Sequence, residues 1–312
     1  MSNGLCTTML AGAFEAMAAS SAPAEAASQR AGGTVPGFMI GIVALGLFAC
    51  VVAAVNVIVR PRSLSLADTP GRDNRLSVLH VMGILFLWIL LQVTIDACAG
   101  AWLKVNLAEL AKTDPADDLL LKITTVKSLI VPLGMLGMSL LIAPLAFGHG
   151  LRRGMGLRLD HWIFDSLRGV LGFFALMPVS IGLLLAMEFF LRNHPEALKE
   201  HVLLVALRDV APAWKAWVFV SAVVLAPLAE EVFFRGIIQS YIRRLSRRPW
   251  WAIVVTSTIF TVLHAPQYSA LPSLMALSIV LGFAYERSGR LITPIVIHAL
   301  FNGANMISVL SG

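Results

Sequence analysis

Two adjacent glutamates and an arginine lie in the middle of the otherwise apolar segment 221–240: Glu230, Glu231 and Arg235. Burying one ionised side chain at the centre of a bilayer costs about 2.5–3.5 kcal/mol, so three of them need a compensating environment. Glu231 and Arg235 are four residues apart and can form an ion pair on one face of a helix. Glu230 then points about 100° away. A carboxylate with weaker compensation in a dry site is suited to act as a general base, whereas a purely structural ion pair is the alternative interpretation.

Two later apolar segments each carry a histidine. The sequence 260–264 reads FTVLH and ends at His264, and the sequence 298–302 reads HALFN, so that His298 and Asn302 share a helical face. A single histidine on an apolar helix is usually a hydrogen-bonded packing residue. Here, however, four polar side chains lie on three apolar segments, and they can converge only if they line one common cavity. The pattern therefore predicts a polar site formed by Glu230, His264, His298 and Asn302.

The elements that must position these side chains are membrane helices. The chain has 312 residues, of which 58% are hydrophobic and 13% are charged, whereas soluble domains carry about 25% charged residues. Apolar runs near the 20 residues needed to cross a bilayer predict an all-α, polytopic integral membrane helix bundle with about eight transmembrane helices. The predicted spans are 37–59, 78–102, 126–147, 166–191, 215–239, 250–265, 271–286 and 291–310.

The distribution of positive charge predicts how the bundle is oriented. The net charge is +6, but the lysines and arginines lie mainly in short connections, which indicates membrane lipid rather than nucleic acid as the partner. If both termini lie outside the cytoplasm, most of these lysines and arginines are on the cytoplasmic side of the membrane. Glu230 is then nearer the inside end of the predicted span 215–239, and a cavity there would open toward the cytoplasm.

Three regions are expected along the chain. Residues 1–36, rich in alanine and serine, are predicted to be a disordered segment. Residues 37–214 are expected to form a variable N-terminal transmembrane region, and residues 215–312 are expected to form the domain that contains all of the polar motifs.

The three motifs together resemble those of a known family. Glu230 to Arg235 reads EExxxR, Phe260 to His264 reads FxxxH, and His298 to Asn302 reads HxxxN. In this order, on successive hydrophobic segments, they are similar to the motifs of the CPBP family. That family comprises CAAX prenyl proteases of the Ras-converting type and bacterial bacteriocin-processing and immunity (Abi) proteins. The resemblance covers about 215–310.

The resemblance implies a role for each motif position in an intramembrane endopeptidase. Glu230 and His264 would activate a water for attack on a peptide carbonyl. His298 and Asn302 would donate hydrogen bonds to the oxyanion of the tetrahedral intermediate. The supporting residues would be Glu231 and Arg235, which brace the site, and Phe260, which packs against His264.

The sequence allows chemistry with or without a metal, and it allows three functional classes. Glu230, His264 and His298 are residue types that bind catalytic Zn²⁺, so the site either holds one divalent metal or works as a metal-free Glu/His pair. Expected substrates are membrane-associated peptides or protein tails in a bacterial plasma membrane. The alternatives are an ion-coupled transporter, because intramembrane ionisable residues also mark ion pathways, and a non-catalytic immunity or scaffold protein.

Overall fold

The described part of the chain is helical, as predicted. The computed structural model describes residues 37–59, 64–69, 71–107, 110, 117–194, 204, 207–208, 210–265 and 267–311. The predicted disordered segment 1–36 lies outside these residues. Within them, eight main helices occur, which we number α1 (Gly37–Val59), α2 (Val78–Leu103), α3 (Asp118–Ala146), α4 (Trp162–Leu191), α5 (Pro212–Ser246), α6 (Pro249–Leu263), α7 (Leu271–Ser288) and α8 (Ile292–Ser311).

Six of these helices are long and apolar enough to cross a membrane, namely α2, α3, α4, α5, α7 and α8. The apolar stretches Phe38–Ala53 in α1 and Pro249–Leu263, which is α6, are shorter. Large apolar side chains are exposed on the outside of the bundle, for example Trp102 at 84% and Leu145 at 82%. Water does not favour such a surface but lipid does, so the chain is a multi-pass membrane protein.

Most helix bounds lie close to the predicted ones, and two differ for visible reasons. Helix α3 begins at Asp118 rather than near 126 because Asp117 caps it, its carboxylate accepting from the backbone N–H groups of Leu119 and Leu120 at 2.9 and 3.1 Å. Helix α5 continues beyond the predicted apolar span to Ser246, so its last turns carry arginines rather than apolar side chains.

Helix α5 alternates between α-helical and wider π-helical turns. Ser221–Leu225 and Val232–Gln239 are π-helical, and the α-helical segment Ala226–Glu231 lies between them. In the second wide region the hydroxyl of Ser240 donates to the carbonyl of Arg235, five residues earlier, at 3.2 Å. Such π-helical turns often occur at functional sites, and here they flank the paired glutamates.

The helices that carry the polar motifs pack around α5. Helices α3, α6, α7 and α8 all contact it, and α8 also packs closely on α4. A Cβ atom on Gly169 of α4 would lie 2.7 Å from Val296, and one on Gly172 would lie 2.8 Å from Ile297. These two glycines therefore let α8 approach α4 closely, which fixes the helix that carries His298 and Asn302.

One end of the bundle collects arginines, and we call it the arginine-rich end: Arg72, Arg158, Arg243, Arg244, Arg287 and Arg290. Arg243 donates to the carbonyl of Thr69 at 3.1 Å, and Arg244 donates to the carbonyls of Asn74 and Leu76. The connection after α1 is thereby tied to the end of α5. By the positive-inside rule this end is predicted to face the cytoplasm.

Candidate active site

Glu231 is at the centre of a buried hydrogen-bonded cluster. Its Oε1 accepts from Arg235 Nη1 at 3.0 Å and from His298 Nδ1 at 2.8 Å. The side chains of Glu231 and Arg235 are fully buried, and that of His298 is 4% exposed. The predicted ion pair within α5 is therefore present, and its carboxylate also connects α5 to α8.

Glu230 has a different environment from its neighbour. Its side chain is 21% exposed, and its Oε2 lies 3.7 Å from His298 Nε2. Arg235 thus binds Glu231 and leaves Glu230 beside the second nitrogen of the imidazole. Glu230 is thus the more accessible carboxylate of the pair.

Glu230 lies close to the midpoint of α5. It is 18 residues after Pro212 (230 − 212) and 16 residues before Ser246 (246 − 230). It is therefore slightly nearer to the end of α5 that carries the arginines. At 1.5 Å per residue, about 24 Å of helix separate it from the end of α5.

Arg235 has a second partner that the motifs did not reveal. Its Nη2 donates to the hydroxyl of Ser278 at 2.8 Å and to the carbonyl of Ser278 at 3.2 Å. Its guanidinium carbon lies 5.2 Å from the ring centroid of Phe260. Ser278 is in α7, which contains none of the three motifs, and a serine in an apolar helix gives no sequence signal for this contact.

His264 enters the site beside Phe260. Its Nδ1 lies 2.8 Å from the backbone carbonyl of Phe260, which can only accept, so Nδ1 carries a proton. In the neutral ring Nε2 is then a free acceptor. The Phe260 ring centroid is 4.5 Å from that of His264 and 6.0 Å from that of His298. The ring of Phe260 therefore contacts both imidazoles.

Asn302 is one turn beyond His298 on α8 but points to a different partner. Its side-chain Nδ2 donates to the carbonyl of Ala222 at 2.8 Å. That carbonyl belongs to the first π-helical region of α5. An amide nitrogen carries two hydrogens, so this bond orients Asn302 and leaves it a second N–H to donate.

The described residues do not assemble a metal centre. No group of three His, Cys, Asp or Glu side chains that could hold a metal ion occurs in the described residues. Glu230 and His298 are close, but His264 makes its described polar contact with the backbone of Phe260. The ligand set suggested by sequence is therefore not brought together, and the chemistry below uses no metal.

The imidazole of His298 lies between the two carboxylates of the pair. Its Nδ1 is 2.8 Å from Glu231 Oε1, and its Nε2 is 3.7 Å from Glu230 Oε2. Glu230, Glu231 and Arg235 carry one excess negative charge when both glutamates are ionised, which is costly in a low-dielectric interior. His298 is placed to offset that charge.

Comparison with known proteins finds a family match in the last third of the chain. The family model described as type II CAAX prenyl endopeptidase Rce1-like matches residues 212–304. The UPF0177 protein YbdI of Lactococcus lactis subsp. lactis (strain IL1403) is 26% identical over 91 residues, which are 29% of this chain and 47% of that protein. An uncharacterized 24.3 kDa protein of Escherichia coli is 35% identical over 79 residues, 24% of this chain and 36% of that protein.

The chain therefore spans less than half the length of each of these two relatives. No solved structure matches it. The matched region contains every side chain of the cluster around Glu231. Residues 212–304 are thus similar to the Rce1-like, type II CAAX prenyl endopeptidases, whose family model they match.

Proposed function

We propose that this protein is an intramembrane endopeptidase that hydrolyses membrane-associated peptides or protein tails in a bacterial plasma membrane. The family match over residues 212–304 supports peptidase activity. The observation that carries the mechanism is the contrast between the two glutamates. Glu231 is buried and bonded to Arg235 and His298, whereas Glu230 is 21% exposed beside His298 Nε2.

Glu230 and His264 activate the water. Glu230, or the free Nε2 of His264, accepts a proton from the water as its oxygen attacks the carbonyl carbon of the scissile peptide bond. Glu230 is suited to this role because it has no bond to Arg235. When the tetrahedral intermediate collapses, the carbon–nitrogen bond breaks, and the transferred proton goes to the leaving amine.

His298 and Asn302 stabilise the oxyanion. His298 can donate from Nε2 only as an imidazolium, because its Nδ1 proton is bonded to Glu231. Two neighbouring carboxylates balance that charge. Asn302 donates its second N–H, while the bond to Ala222 holds the amide in place. Preorganised donors of this kind lower the barrier because they need no rearrangement as the negative charge develops.

The first experiment identifies the substrate and tests the base. Membrane proteins that accumulate uncleaved in cells expressing Glu230→Gln, compared with wild type, are identified by mass spectrometry. A peptide from such a protein is then assayed with purified enzyme in liposomes. Glu230→Gln and His264→Ala should each lower kcat by about 10²–10⁴-fold, the range for loss of general acid–base catalysis.

Matched controls make the result specific. Glu188→Gln changes an exposed glutamate near the end of α4 and should leave kcat unchanged. A chelator such as 1,10-phenanthroline should change the rate less than twofold. Full proteolysis by purified Glu230→Gln would rule out the assigned base, and substrate-coupled ion flux without cleavage would favour a transporter instead. A binding partner retained after loss of all four site residues would favour an immunity or scaffold role.

A further inference from the structure

Helix α7 carries no motif residue, yet its polar side runs along the motif helix α5. Ser278, Gly282 and Glu286 are spaced by one turn on α7, and they face Arg235, Gln239 and Arg243 on α5. Gln239 Nε2 donates to the carbonyl of Gly282 and to Glu286 Oε1, both at 3.0 Å. We call these contacts the α5–α7 ladder.

Ser278 connects the α5–α7 ladder to the cluster around Glu231. The guanidinium of Arg235 donates from Nη1 to Glu231 and from Nη2 to Ser278. Glu231 in turn accepts from His298 Nδ1. A continuous series of hydrogen bonds therefore leads from the hydroxyl of Ser278 through Arg235 and Glu231 to the imidazole. All of its members are at most 4% exposed in side chain or residue.

Ser278 supplies both hydrogen bonds of Arg235 Nη2. Its hydroxyl is 2.8 Å away, and its backbone carbonyl is 3.2 Å away and therefore the weaker acceptor. The Nε of Arg235 is buried without a hydrogen-bond partner among the described residues. Without the hydroxyl, Nη2 keeps only the longer bond to the carbonyl, so that side of the guanidinium is held less firmly. Any shift of the guanidinium moves the Glu231 oxygen that Arg235 shares with His298.

We propose that Ser278 is a positioning residue for the peptidase reaction: its hydroxyl fixes Arg235, and through Glu231 it fixes the ring of His298. The effect on rate rests on the proposed function, whereas the effect on His298 does not. The charged or titratable groups around His298 are Glu230 and Glu231 on α5, with Arg235 behind them, and His264 beyond Phe260 on α6. Ser278 itself touches neither substrate nor His298.

The test compares Ser278→Ala with Ser273→Ala in the full-length protein. Ser273 is on the same helix and equally buried, and its hydroxyl bonds to Ser180 rather than to the ladder. Ser278→Ala should lower kcat about tenfold with KM unchanged, in keeping with the loss of a hydrogen bond to a charged group. Ser273→Ala should leave kcat within twofold. Ser278→Thr, which keeps the hydroxyl, should restore most of the rate.

A spectroscopic readout separates positioning from activity. The proton on His298 Nδ1, bonded to a carboxylate, should give a downfield NMR resonance in protein labelled with ¹⁵N-histidine, assigned by its loss in His298→Ala. That resonance should shift and broaden in Ser278→Ala but stay in place in Ser273→Ala and in Ser278→Thr. Thermal unfolding of the two alanine variants should be similar, because each loses one buried hydroxyl.

The outcomes are distinct. An unchanged His298 resonance in folded Ser278→Ala overturns the positioning role, whatever the enzyme does. If wild-type protein cleaves no membrane-anchored peptide, the proposed function fails, and the resonance alone decides the role of Ser278. Equal losses of kcat in the two alanine variants would show a general packing effect and would also overturn the proposal.

Discussion

At the scale of single residues, two neighbouring glutamates have opposite surroundings. Glu231 is fully buried and shares one oxygen between Arg235 and His298. Glu230, turned by one residue, is partly exposed and lies 3.7 Å from His298 Nε2. The same side-chain chemistry therefore provides a structural anchor at one position and an accessible carboxylate at the next.

This difference predicts that the same substitution changes the free energy of unfolding much more at Glu231 than at Glu230. Glu231→Gln leaves the buried guanidinium of Arg235 without its counter-charge, so it should destabilise the protein by about 3–5 kcal/mol. Glu230→Gln should change the free energy of unfolding by less than about 1 kcal/mol while lowering kcat by about 10²–10⁴-fold. The seven tryptophans allow both variants to be followed by fluorescence during denaturation in detergent micelles. Equal stability of the two variants would contradict the assignment.

At the scale of elements, the close contact of α5 with α7 depends on a glycine. Gly282 accepts from Gln239 through its carbonyl. A Cβ atom at this position would lie 2.9 Å from Gln239 Oε1 and 3.1 Å from Ile253 Cγ2. Gln239 can move, but the branched Ile253 on α6 cannot move easily, so the interface has no room for a methyl group.

Replacing this glycine should therefore destabilise the bundle. Gly282→Ala is expected to cost about 1–3 kcal/mol, as overpacking usually does. The control is Gly137→Ala in α3, where a Cβ atom would meet nothing within 4 Å and the loss of backbone freedom should stabilise the helix by about 0.5–1 kcal/mol. Thermal unfolding measures both. A stabilising effect of Gly282→Ala would mean that the ladder is more loosely packed than the distances indicate.

Features within one helix can be predicted from the sequence, whereas contacts between helices cannot. Hydrophobic run length predicted the helices, and the spacing of Glu231 and Arg235 predicted their ion pair, because both are properties of one segment. The link from Glu231 to His298 and the bond from Asn302 to Ala222 join different helices. Their partners depend on which helices pack together and on the π-helical turns. Ser278 was missed for the same reason, since only packing brings it to Arg235.

At the scale of the whole molecule, the arginine-rich end ties distant segments together. Arg290, just before α8, donates to Asp160 and to the buried Asp165, which are in the connection before α4 and in the first turn of α4. Hydrogen bonds from Arg158 and Arg290 hold the pKa of Asp160 well below its ordinary value of 3.8. The ionised form of Asp160 is therefore favoured by folding.

The sign of this shift predicts an acid-sensitive contribution to stability. A carboxyl whose pKa is lower in the folded state stabilises the protein above its unfolded pKa, and that stabilisation is lost as the pH falls. Wild type should thus lose stability below about pH 4, and Asp160→Asn should lose less over the same range. Melting temperatures between pH 6 and pH 3 measure the difference. The exposed Asp68→Asn, at the same end of the bundle, is the control and should follow the wild-type curve.

The π-helical turns of α5 constrain the number of residues in this helix. Side chains repeated every four residues advance about 40° around an α-helix at each step, so Glu231, Arg235, Gln239 and Arg243 would spiral away from α7. The π-helical region Val232–Gln239 turns less per residue and cancels much of this drift. Deleting one amino acid between Glu231 and Gln239 would restore regular winding and swing the arginine-rich tail of α5 out of alignment with its neighbour. At this point of the fold, the number of residues is constrained as strictly as their identity.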